Sequence, residues 1–184
     1  MTRYYLSYRC LICLPVLLCL FFHTGPAVAE TGEYQVKAAM IYNMIRFMDW
    51  PEEALPASAP QFVVCVVGKG GLGSAVDGLQ GKQVKGKTVF VRPIPLSGGI
   101  SGCQVLILSD QDKSITASLL ERTRSSMVLT VADSAGFARL GGTVGFVLQN
   151  GKVRFEINQT SAQRHRIRVS AQLLKLAQIV QEGP

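Results

Sequence analysis

Histidine is nearly missing from this 184-residue chain, which carries only His23 and His165. His165 stands between Arg164 and Arg166, whose charge disfavours a bound cation, and no His/Cys/Asp cluster with metal-ligand spacing surrounds it. A Ser/His/Asp or Cys/His catalytic arrangement would hang on this single residue, which reads instead as a solvated histidine on a helix. Cys65 and Cys103, the two cysteines beyond the N-terminal apolar run, are not spaced C-x-x-C, so they lack the spacing of a thiol oxidoreductase. Charge is sparse at 17%, and the 19 basic residues are scattered. Their one dense group, Arg164 to Arg168, has no interleaved aromatic residues for stacking bases, so no nucleic-acid partner is expected. The expected catalytic, metal and cofactor residues are therefore none.

Long apolar runs are missing too. The run from Cys10 to Phe22 follows Arg3 and Arg9 and precedes the small residues Ala27-Val28-Ala29. It falls short of the roughly 18–20 residues that span a bilayer, and its layout is that of a secretory signal peptide cleaved near Ala29. The expected organisation is a signal peptide over 1–29 and one exported domain over 30–184, in the periplasm and without membrane insertion after cleavage. Of five cysteines only Cys65 and Cys103 lie beyond the signal, and an oxidising compartment favours pairing them.

The remainder is rich in periodic pattern. Residues 34–48, "YQVKAAMIYNMIRFM", repeat apolar residues at helical intervals, and "DWP" ends the helix before a proline-rich loop. Runs 62–67, 87–94, 103–109 and 127–133 are short, β-branched and mostly apolar, as strands buried on both faces of a parallel sheet are. Helices are expected over 72–79 and 113–124, the latter capped by Ser109 or Asp110. Gln149-Asn150-Gly151 has the turn chemistry of an antiparallel hairpin between two further strands. Asn158 and Ser170 are expected to cap helices over 159–165 and 171–180, with Leu173, Leu174, Leu176 and Ala177 on the apolar side of the last. The fold class is thus α/β: a single domain with a largely parallel central sheet flanked by helices, a C-terminal antiparallel hairpin and terminal helices.

Gly68, Gly70 and Gly73 fit G-x-G-x-x-G, the dinucleotide fingerprint. The helix behind them is only about two turns, and no acidic residue follows at the ribose-binding spacing of roughly 20 positions. The glycines read as a tight strand-to-helix turn. The carboxylates Asp49, Glu52 and Glu53 beside Trp50 read as a solvated acidic loop, and the sequon Asn158-Gln159-Thr160 carries little weight.

Taken in order, "KAAMIYNMIRFMDWP", "FVVCVVG", "GKQVKGKTVFVRP", "CQVLILS", "LTVADSAGFARLGGTVGFVLQNGKVRFEIN" and "SAQLLKLA" resemble the YfiR family of bacterial periplasmic proteins. The resemblance implies a non-enzymatic regulator that binds the periplasmic part of an inner-membrane diguanylate cyclase and holds it inactive, so that its loss raises cyclic di-GMP and biofilm formation. It also carries the family's cysteines onto Cys65 and Cys103. A further pair found in some members is missing here, with Gly145 and Phe155 in that region. A periplasmic small-molecule sensor, with its ligand at the carboxyl ends of the parallel strands, is the alternative. The first helix carries two apolar stripes: Ala38, Ile41, Ile45 and Met48 form one, and Val36, Met40, Met44 and Phe47 the other. The second stripe either wedges against another helix or meets a second chain, a partner or a second copy. Met40, Met44, Phe47 and Trp50 are the candidate partner-binding residues, and Trp50 is read equally well as core.

Overall fold

A computed structural model describes residues 27–183. The expected signal segment lies outside the described residues except for Ala27 to Ala29, where the first helix begins. In chain order the elements are α1 (Ala27–Arg46), β1 (Met48–Asp49), β2 (Gln61–Val67), α2 (Gly71–Val76), β3 (Gln83–Val84), β4 (Lys87–Pro93), β5 (Val105–Leu108), α3 (Lys113–Thr123), β6 (Leu129–Ala132), β7 (Val144–Gln149), β8 (Lys152–Asn158), α4 (Gln159–Arg164), β9 (Arg168–Val169), α5 (Ala171–Leu174) and β10 (Gln178–Val180).

Eight strands form one sheet in the order β10-β8-β7-β6-β5-β2-β4-β3, and β1 pairs with β9 in a separate antiparallel ribbon. From β4 through β7 every neighbour is parallel, while the β7–β8 hairpin and the β3–β4 pair are antiparallel. Asn150 and Gly151 both take positive φ, 51° and 69°, which is what the two-residue hairpin turn requires. The central strands β2, β5 and β6 are dry on both faces. Phe62, Val64 and Val66 of β2 point to the face covered by α1 and α2, and Cys65 and Val67 point to the face covered by α3. The two clusters are the domain's core, and they explain why these strands read as continuous apolar runs.

Three expectations about helices are corrected. The first helix stops at Arg46, because Met48 and Asp49 leave it to pair with Val169 and Arg168. The cap of α3 is Asp112, without a side-chain hydrogen bond, whereas the Ser109 hydroxyl accepts from the Gly73 amide of α2. The terminal helix lasts one turn. Beyond it Gln178–Val180 form a strand parallel to β8, because the exposed edge of β8 offers unpaired backbone groups that β-branched Ile179 and Val180 can answer in extended form. Both other caps form as expected, Asn158 accepting from Ser161 and Ser170 from Leu173.

The sheet's outer edges are closed by different means. Along β4, the Val89 amide donates to the Lys82 carbonyl and the Val91 amide to the Gln80 side-chain oxygen. The opposite edge, β10, is three residues long.

His165 is buried rather than solvated, at 1% exposure. Arg166 turns into the left-handed region (φ 57°) directly after α4, which folds the chain back toward Ile167. The ring Nδ1–H donates to the Ser126 carbonyl at 2.7 Å and ties α4 to the segment before β6. Burial pushes its pKa down, the Ser126 bond opposes this, and the Arg164 charge adds to the lowering.

Two outcomes follow from this packing. Cys65 and Cys103 are disulfide-bonded with their Cα atoms 5.8 Å apart, so the oxidised protein will show no free thiol by mass spectrometry under non-reducing conditions, and two titratable thiols would contradict it. Closing a loop of this separation is worth roughly 4 kcal/mol in the chain-entropy account. For His165, the folded pKa lies below the ordinary 6.5, so its contribution is complete above that pH. As the pH drops below it the unfolded chain takes the proton first, and stability is lost down through the folded pKa. Urea unfolding from pH 7.5 downward will show this loss, and His165→Gln will remove that part of the slope.

Candidate functional site

The topology places its switch point where nucleotide-binding sheets place their crevice. After β2 the chain crosses to β4 on one side, and after β5 it crosses to β6 on the other, so the strand order reverses between β2 and β5. The glycine run stands at this point, and the protein's own residues fill the space in front of it. Gly68 takes φ +93°, and a Cβ there would collide with the Ser109 carbonyl and the Gln111 amide. At Gly70 a Cβ would lie 2.6 Å from the Asp110 Cβ, and at Gly73 it would crowd Val66. The Gly73 amide, in the first turn of α2, donates 2.9 Å to the Ser109 hydroxyl and is already committed. Gly71 admits the ring of Tyr34 from α1. These glycines are places where two loops and a helix approach at backbone distance.

The acidic loop is anchored by pairs. Asp49 meets Lys85 at 2.9 Å, and Glu53 meets Arg166 at 3.0 Å. The Glu53–Arg166 pair is exposed on both sides and the Asp49–Lys85 pair on the carboxylate side, so each is worth little individually. Among the described residues no group of His, Cys, Asp and Glu is placed to hold a metal ion. The sequon asparagine is fully buried: Asn158 Oδ1 accepts from Ser161, and its Nδ2 donates to the Ala138 carbonyl at 2.8 Å. The nitrogen a glycan would need is therefore already committed.

The four partner-binding candidates separate. Met40, Met44 and Phe47 line one apolar groove of about 170 Å³ together with Asn43, Phe155, Gln172, Leu173 and Leu176. Helix α1 forms one wall, α5 and the turn after it the other, and Phe155 of β8 contributes from the sheet. Met44 belongs to the wall at 4% exposure, whereas Phe47 and Leu176 stand on the rim at 44% and 73%. Trp50 lies elsewhere. Its ring meets Phe62 edge-on at 5.1 Å, and its Nε1–H donates to the Gln104 carbonyl, so it pins the proline-rich loop to the sheet. Sequence periodicity found the α1 wall but not the second. Periodicity places Leu173 and Leu176 on one face of a long helix, and the helix's end after one turn is what leaves Leu176 exposed.

The groove's wall and rim differ in what they hold up. Met44→Ala will cost about 2–5 kcal/mol of unfolding free energy, since it empties a packed position. Phe47→Ser and Leu176→Ser will each stay within about 0.5 kcal/mol, as exposed positions do. Denaturant melts of the three variants measure this, and equal losses at all three would mean that the rim is core.

No curated protein matches the sequence. Among solved structures, the crystal structure of the ABC domain in complex with L-Trp from Streptococcus pneumonia superposes with a TM-score of 0.48 at 12% identity. The overlap covers 76% of this chain and 60% of that one, so this chain spans less than two thirds of that protein's length. The profile of the family described as YfiR/HmsC-like (DUF4154) matches residues 34–178, from the first helix into the last strand. With that span matched, the chain belongs to the YfiR/HmsC-like family.

Proposed function

We propose that this protein is a periplasmic regulator that binds the periplasmic part of an inner-membrane diguanylate cyclase and holds it inactive, lowering cyclic di-GMP and biofilm formation. The observation that carries this reading is the family match over residues 34–178, which takes in both helical coverings and almost the whole sheet. On this reading residues 1–29 are the export signal, and 30–184 are the working domain.

Cyclic di-GMP is made on the cytoplasmic side, so a periplasmic protein acts on it only through a partner that crosses the membrane. Binding moves such a partner toward its inactive form only by favouring that form, and a shift from 1:99 to 99:1 takes about 5.5 kcal/mol of differential affinity. The apolar groove supports a contact of this kind. Flexible methionines line it, an exposed Phe47 and Leu176 stand on its rim, and such side chains supply binding energy when a partner covers them. The contact set is Met40, Phe47 and Leu176 at the surface, with Met44 beneath. Trp50, packed on Phe62 and bonded to the Gln104 carbonyl, lies outside this set.

In cells that carry the cyclase, deletion of the gene will raise cyclic di-GMP. A folded, exported Phe47→Glu/Leu176→Glu variant will raise it to the same level, and a catalytically dead cyclase will abolish both effects. A rise that persists in a strain lacking every periplasm-facing cyclase would overturn the proposal.

A further inference from the structure

Apart from the apolar groove, the structure holds a recess whose lining is charged. Its volume is about 350 Å³, within the range that encloses small ligands, and three stretches distant in sequence wall it. Lys113 starts α3, Gly136, Arg139 and Leu140 belong to the loop after β6, and Glu182 and Gly183 follow β10. Two of these walls are fixed to each other, since the Gly183 amide donates to the Arg139 carbonyl at 2.9 Å. At Gly136, which takes φ +75°, a Cβ would meet nothing within 4 Å, so open space lies in front of the loop. The charges around the recess are not balanced. Lys113 is exposed and has no carboxylate partner among the described residues. Arg139 has Glu156 at 3.5 Å, a single contact for a group with five N–H donors. Glu182, the carboxylate on the wall, is bonded to Arg164, so its charge is answered from outside the recess.

One exposed cation by itself is a solvated surface group. Two from separate elements, on one recess whose carboxylate is already neutralised, leave a positive excess that concave walls focus and a bound anion removes. We propose that this recess binds a small organic anion, with its carboxylate or phosphate group held by Lys113 and Arg139 and its apolar part against Leu140. Arg139 supplies a planar fork that matches two anionic oxygens, and Lys113 adds a point charge. The ligand thereby ties the start of α3 to the loop after β6, two segments that meet at this recess. The inference stands independently of the cyclase reading, because neither Lys113 nor Arg139 lines the groove between α1 and α5.

The test titrates the nitrogen-15-labelled exported protein with succinate and, separately, with glycerol 3-phosphate at constant ionic strength, and follows amide chemical shifts. At least one probe will give saturable shifts at Lys113, at Gly136 to Leu140 and at Gly183, and the tighter of the two identifies the anionic group. Lys113→Gln and Arg139→Gln will each weaken that binding about tenfold, the loss of one charge-assisted hydrogen bond. Lys152→Gln, at an exposed cation on the hairpin, will leave it unchanged. Three results overturn the proposal: no saturation with either probe, equal shifts with sodium chloride, or a dissociation constant indifferent to Lys113→Gln. Arg139→Gln deprives the buried Glu156 of its cation. Should that variant fail to fold, Lys113→Gln alone decides, since it breaks no ion pair among the described residues.

Discussion

Everything in this domain answers to one constraint: a parallel sheet of short apolar strands must be kept dry on both faces at once. Strands β5 and β6 are buried at every position, and β2 nearly so, and no alternation of polar residues relieves either side. The two coverings are unequal. One face has α1 and α2 with the larger cluster, whereas the other relies on α3, Phe137 and the segment leading into β5. That segment is thinly built and held from several directions. Arg122 of α3 donates to the Leu96 and Gly98 carbonyls, Arg92 donates to Ser101, and the disulfide fixes its end to β2. The covalent bond thus sits on the side where apolar area alone covers least.

A dry sheet makes every enclosed polar group costly unless it is answered, and here the answers organise the loops. Gln104 takes the Val63 amide on its side-chain oxygen and gives its amide to the Ala54 carbonyl, while its own backbone carbonyl receives Trp50. Lys87 places its ammonium between the Ala57 and Ala59 carbonyls. The proline-rich loop is in this way fastened by three side chains although it carries no regular structure. At the hairpin end, Thr130, Thr143, Ser161 and Asn158 form a chain of hydroxyl and amide bonds that locks α4 against β6 and the start of β7. With the frame so fixed, the groove between α1 and α5 is a place where apolar side chains face outward, walled by a long helix on one side and by a single helical turn and the turn after it on the other.

The central strands, the hairpin and the existence of the helices were legible because they rest on local rules: apolar periodicity and turn residues act within a few positions of one another. Cys65 and Cys103 paired as their number and setting suggested. The misjudged features depend on what lies across the fold. His165 looks solvated between two arginines, yet it is buried and its ring donates to the carbonyl of Ser126, 39 positions away in sequence. The run from Ala171 to Val180 has helical periodicity, but an unpaired strand edge competes for its last residues, and no local pattern shows that edge. Ser109 follows its strand like a cap, and it caps the other helix, because β2 and β5 are adjacent only in the sheet. The groove was half visible for the same reason: α1 displays its methionines in sequence, while the opposite wall exists only through the early end of α5.

The finished edge along β4 bears on how the molecule behaves when crowded. An open strand edge is a template on which a second chain can grow a sheet, and concentrated proteins polymerise by that route. Here the outward amides of Val89 and Val91 are taken by the Lys82 carbonyl and the Gln80 side chain, and the facing edge is only three residues long. A β-rich protein sealed in this way can accumulate without seeding fibres. Replacing the single side chain of Gln80 by an apolar one would reopen a growth point while leaving the core untouched.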